Sequence, residues 1–153
     1  MATEFPPTNP DYADTVRDSF ARQGLMTALG ARIVAIEPGF CAIELSYAPG
    51  VSQQQGFFHG GAIGAIADTA AGYAAYSLMP AGSEILTVEY KLNLMRAALP
   101  PVLRAEGHVL RAGKTLTVCR ADVYHQRNGA RETCALLQST LMRVEPVGEL
   151  RKG

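Results

Sequence analysis

Residues 54–72 read QQGFFHGGAIGAIADTAAG: a histidine and two glycines, then an alanine-rich run holding a single carboxylate, Asp68. The run stays nearly apolar from Ala62 to Met79 and is closed by Pro80 and Gly82. Apolar residues fall on every side of the helical wheel, which predicts a helix of about 20 residues, about 30 Å long, buried all round. Its length approaches that of a membrane span, but alanine and glycine add little hydrophobicity. Asp68 near its middle would cost about 2.5 to 3.5 kcal/mol in lipid, so a helix inside a soluble domain is the better reading.

The acid needs an explanation. Asp68 sits among Ala65, Ile66, Ala67, Ala70 and Ala71, where an ionised carboxylate must be solvated by a cavity or a partner. A buried acid beside a cavity is a candidate functional group. The Gly60–Gly61 pair at the helix start leaves N–H groups unshielded by side chains at the positive end of the helix dipole, a place that suits an anion or a developing oxyanion. Gly60 and Asp68 are eight residues apart, about 12 Å along one helix axis. One reacting carbonyl cannot touch both. If both serve one substrate, they come from two chains whose helices run antiparallel across a two-fold axis.

The flanks supply the rest of the fold. Upstream, Val16, Phe20, Gly24, Leu25 and Ala28 recur at helical spacing from Asp11 to Leu29, with Asp11 as N-cap and Gly30 past the end. Two β-rich segments, 31–37 and 40–47, join at the Pro38–Gly39 turn. Downstream the period changes to two: Leu86, Val88, Tyr90, Leu92 and Leu94 alternate with Thr87, Glu89, Lys91 and Asn93, a strand with one face on a core. Three further strands are expected at 102–111, 115–126 and 131–144, the last two joined by an Asn128–Gly129 hairpin turn. The order predicts an α+β domain in which an antiparallel sheet wraps one long helix. Residues 11–146 form that domain, with a flexible arm at 1–10 and a tail at 147–153.

Composition excludes several classes. Lysine and arginine balance aspartate and glutamate at zero net charge, so no basic face drives nucleic-acid binding. Three cysteines without a C-x-x-C pair argue for reduced thiols, and the acidic, proline-containing N-terminus is no secretory signal; a cytoplasmic protein is expected. The stretch 107–115, GHVLRAGKT, has five residues where a phosphate loop has four and lies between strands. His108 and His125 are isolated, on polar strand faces, so no metal site is expected. No G-x-S-x-G elbow is present.

At QQQGFFHGGAIGAIADTAAG, with LTVEYKLNLMRAA and GHVLRAGKTLTVCRADVY in support, the chain resembles the hotdog-fold acyl-CoA thioesterases of the phenylacetate-pathway and 4-hydroxybenzoyl-CoA type, over residues 12–144. The resemblance implies a hotdog fold, an acyl-CoA substrate, no cofactor, and a homodimer with sheets joined edge to edge, paired further into a homotetramer, with each site spanning two subunits. By position it implies that the Gly60 N–H binds the thioester oxygen, with His59 as its orienting neighbour and Gly61 beside it. Asp68 is then the nucleophile or the base activating water, Gln53 a second polar group near the thioester, and Thr87 the residue positioning the water. Phe57, Phe58, Tyr73 and Tyr76 would line the acyl group, and Arg111, Gly113 and Lys114 would lie near the CoA nucleotide. Gly72 stands where some members carry threonine or serine. A hotdog dehydratase or hydratase, and an acyl-CoA-binding protein without turnover, are the alternatives.

Overall fold

A computed structural model describes residues 5–146. Two short helices, α1 (Tyr12–Ala21) and α2 (Gly24–Leu29), precede the hairpin β1 (Arg32–Glu37) and β2 (Phe40–Ser46). A 3-10 turn at Pro49–Val51 leads to the central helix α3 (Gly60–Tyr76). The strands β3 (Glu84–Leu94), β4 (Val102–Ala112), β5 (Leu116–Arg127) and β6 (Ala130–Val144) follow. All six form one antiparallel sheet in the order β1-β2-β4-β5-β6-β3, wrapped around α3 as the hotdog resemblance implies. Among the described residues no helix is long and apolar enough to cross a membrane.

Small residues seat α3 on the sheet. Ala62, Ala67, Ala70, Ala71 and Ala74 are buried along it, and at Gly107 of β4 a Cβ would fall 2.3 Å from the Ala70 carbonyl oxygen. Helix backbone and strand backbone are therefore in direct contact, with no room for a methyl group between them. Ile43, Leu45, Ile66, Leu103, Leu137 and Leu141 fill the core on either side of that contact.

Three expectations need correction. The helix expected over Asp11–Leu29 is two helices, because the backbone is extended at Gln23 and the Gln23 side chain turns in to donate to the Tyr73 hydroxyl at 3.0 Å; Gly30 closes α2 with φ 74° as expected. The arm expected to be loose over 1–10 is fixed from Phe5 onward: Phe5 packs against the core, Thr8 donates to the Leu78 carbonyl and Asn9 is buried. The tail at 147–153 lies outside the described residues. His125 is on the inner, not the polar, face of β5, because it continues the alternation of the buried residues Cys119, Ala121 and Val123. The Asn128–Gly129 turn has positive φ at both residues, 52° and 76°, as a two-residue hairpin of this type requires.

The strand β3 departs from simple alternation. Its pairing with β6 slips between Thr87 and Glu89, so that Val88 is an extra, bulged residue. Residues directly opposite one another share a face of the sheet. Thr87 faces Leu141, and beyond the bulge Tyr90, Leu92 and Leu94 face Ser139, Leu137 and Ala135, all four partners buried on the helix side. Thr87, assigned to the polar face by period two, is thereby turned toward α3. β3 is also a sheet edge, with Leu86, Val88, Tyr90 and Leu94 each half exposed.

The Gly107 contact makes a direct prediction. Gly107→Ala forces helix and strand backbones apart and is expected to lower stability by about 3 kcal/mol, the upper end of overpacking penalties. Gly72→Ala, in α3 with nothing near its added methyl, is expected to be neutral or to stabilise by up to about 1 kcal/mol. Urea denaturation reads both; equal midpoints for the two variants contradict the close approach.

Candidate active site

His59 is the N-cap of α3, and its Nδ1 accepts the Gly61 N–H at 2.8 Å. The His59 carbonyl accepts the N–H groups of Ala62 and Ile63. Every N–H of the first turn is thereby occupied except that of Gly60, which has no acceptor among the described residues. It points out of the positive end of a 17-residue helix. A side chain there would meet Leu94 Cδ1 at 2.8 Å, so glycine keeps the approach to that N–H open. The histidine serves this arrangement as a cap, which spacing alone does not reveal.

Two turns further on, Asp68 Oδ1 accepts a hydrogen bond from Thr87 Oγ1 at 2.9 Å. The bulge at Val88 makes this bond, by presenting Thr87 to the helix. Asp68 is half-buried, and burial holds its carboxyl above the usual carboxylate range, an effect the Thr87 hydroxyl opposes by bonding to the charged form. A proton is therefore released from Asp68 closer to neutral pH than from an exposed aspartate, a property suited to general-base chemistry.

The predicted residues divide between separate clefts. Asp68 and Thr87 line one of about 270 Å³, between the N-terminal helices, α3 and β3. Gln53, Phe57, Phe58 and Gly60 line another of about 290 Å³, with Leu94 and Arg96. Phe58 is itself buried and packs edge-on against Tyr47 at 5.2 Å. The Gln53 side chain is folded onto its own loop, where its Oε1 accepts the Gln55 N–H. Gly113 and Lys114 line a third groove, with Arg143, at the far end of α3, and Arg111 lines none of the three. His59 and Gly61 line neither of the first two clefts.

Of the residues that close the Asp68 cleft, sequence reasoning offered Tyr73, as an aromatic lining an acyl pocket, but not Ser19, Gln23 or Glu84. The Tyr73 hydroxyl donates to Ser19 Oγ at 3.1 Å and accepts from Gln23, and Glu84 reaches the same cleft from the start of β3. One signal was available: Asp68, Thr69, Gly72 and Tyr73 share a face of a 3.6-residue helix. The partners from α1, α2 and β3 carry no such signal. The cysteines line neither the Asp68 cleft nor the Gly60 cleft; all three are free and fully buried, and burial pushes the Cys41 and Cys119 thiols up to about 12 and the Cys134 thiol to about 11.

Comparison with known proteins agrees with this fold. The thioesterase superfamily pattern matches residues 55–131, half of the chain. A thioesterase family protein of Silicibacter pomeroyi has 41% sequence identity and a TM-score of 0.85, over 88% of this chain and 99% of its own. The E. coli PaaI protein of the phenylacetic acid degradation operon shares the fold at 21% identity, with a TM-score of 0.79 over 90% of this chain and 96% of that one. A Saccharolobus solfataricus protein named as an esterase is 30% identical over 94 residues, which span 61% of this chain and 66% of that relative.

The raised Asp68 carboxyl has a consequence for stability. A folded-state pKa above the unfolded value stabilises fully below the ordinary carboxylate range, and that contribution is lost as pH rises through the raised value. Asp68→Asn keeps an acceptor for Thr87 and removes the buried charge, so it is expected to melt higher than the unmodified protein at neutral pH. The gap should close as pH falls through the carboxylate range. Thermal melts across pH check this; a gap that widens with acid has the wrong sign.

Proposed function

This chain belongs to the thioesterase superfamily and is a thioester hydrolase, and we propose that it cleaves acyl-CoA thioesters at a site assembled from two subunits. The carrying observation is that the free Gly60 N–H and the Thr87-held Asp68 carboxylate stand on one rigid helix, each opening on its own cleft, about 12 Å apart. Neither cleft holds both groups. Two copies of α3 running antiparallel bring the Gly60 of one chain to the Asp68 of the other, twice. The half-exposed apolar edge of β3 is the surface for this pairing, because an uncovered edge of that length exposes a row of unpaired backbone groups. Half-exposed Leu110 and Leu116 offer a further apolar surface on which dimers pair into tetramers. The buried free thiols suit a reducing, cytoplasmic setting.

Asp68, ionised, takes a proton from water as the water oxygen attacks the thioester carbonyl. The oxyanion that forms is held by the partner's Gly60 N–H at the positive helix end. Collapse breaks the carbon–sulfur bond, and the proton on Asp68 passes to the departing CoA sulfur. Thr87 fixes the carboxylate, and Gln53 lies beside the oxyanion position. Phe57 and Phe58 wall the donor cleft. The turn at Arg111, Gly113 and Lys114 of the subunit that supplies Asp68 is assigned to the carrier's phosphates, because antiparallel helices set the far end of that subunit's α3 beyond the other's Gly60. The hydratase reading lacks its histidine. His59 is a cap, His125 is buried against Glu132 and His108 packs at a tilt against Phe40, and none lines the Asp68 cleft.

Subunit mixing tests the shared site. Gly60→Pro removes the N–H at a helix position whose backbone accepts proline, with the end of the Leu94 side chain turned aside to admit the ring, and Asp68→Asn removes the base; each alone is expected to lose at least about 100-fold in kcat/KM. Dimers formed from an equal mixture of the two are expected to recover about a quarter of the native sites, because half the dimers are mixed and each of these holds one intact pair. No recovery places the two groups in one chain and overturns the proposal. Because the acid is active as a base, kcat/KM should rise with pH through the raised Asp68 value. Thr87→Val, which removes the bond that lowers that value, should move the rise to higher pH. A single turnover in heavy-oxygen water should label the released acid and leave Asp68 unlabelled.

A further inference from the structure

The two clefts differ in charge. The Asp68 cleft contains two carboxylates, Asp68 and Glu84, and no lysine, arginine or histidine among its lining residues. Glu84 forms no ion pair among the described residues. Arg22 lies close enough to bear on the hydroxyls of Tyr73 and Tyr76, but its Nε donates to the Asp18 carbonyl and it is outside the cleft lining. In the donor cleft the one charged lining residue is Arg96, which is held by Glu132, itself bonded to the buried His125.

An acyl-CoA is polyanionic at its carrier end, so this asymmetry orients it, with the carrier leaving past Arg96 and the acyl group lying beneath Glu84. The far wall of the acyl half is neutral, because the Tyr73 hydroxyl is satisfied by Gln23 and Ser19. Resting on the hydrolase reading above, we propose that Glu84 is a specificity-determining residue: it admits uncharged acyl groups and turns away those that end in a second carboxylate. The mechanism is repulsion built against the wrong substrate. A terminal carboxylate would enter a cleft that already holds two acids and offers no cation to pair with it.

Hexanoyl-CoA and adipoyl-CoA have the same chain length and carrier and differ by one terminal charge. The wild-type protein should hydrolyse hexanoyl-CoA with a kcat/KM at least about tenfold higher. In Glu84→Gln the ratio should fall to within about threefold, and in Glu84→Lys it should shift further toward adipoyl-CoA. Equal use of both thioesters by the wild type, or a ratio that neither substitution changes, overturns the filter while leaving the hydrolase reading intact. Binding of the same two thioesters to Asp68→Asn, measured by calorimetry, reads the preference without turnover. A hexanoyl preference there beside a wild type that hydrolyses neither would sink the hydrolase reading and keep the filter; binding of neither sinks both.

Discussion

The depth at which α3 sits in the sheet is set by one contact, the backbone of Ala70 against the backbone at Gly107. Larger residues at either place would lift the helix by the width of a methyl group or more. That depth brings Asp68 within hydrogen-bond reach of Thr87, and Gly60 under Leu94. The alanines that make the helix look inert are what allow this approach. The candidate site groups are thus positioned by the absence of side-chain bulk elsewhere on the same helix.

Much of the fold was legible because its signals are local. The apolar wheel of α3, the period of two in the later strands, and the Pro38–Gly39 and Asn128–Gly129 turns each rest on neighbouring residues; the strands and turns appear within a residue or two of where they are expected, and α3 ends at Tyr76, three residues before the apolar run does. What was hidden depends on residues distant in sequence. The break at Gln23 is tied to Tyr73, 50 residues away. The inward turn of Thr87 depends on a slip against β6, which strict alternation cannot show. Phe5 is held by core residues that the first ten positions give no hint of.

The site was legible in a different way. Asp68 and Gly60 stand out because they break the pattern of their surroundings, an acid among alanines and glycines where a helix must start. Their separation along one axis follows from helix geometry alone. Gln23, Ser19 and Glu84 could not be found by that route. Each is ordinary on its own element, and only the folded arrangement sets them around the same cleft.

The extra residue at Val88 acts as a change of parity within a single strand. Below it, odd-numbered side chains meet the helix; above it, even-numbered ones do. One continuous strand can therefore offer a hydroxyl to an acid at one end and apolar side chains to the helix start at the other, a combination that strict alternation would forbid. Length changes in this segment are then constrained arithmetically. Removing or adding one residue between Thr87 and Tyr90 would exchange the two faces of everything on one side of it, whereas a change of two would preserve them.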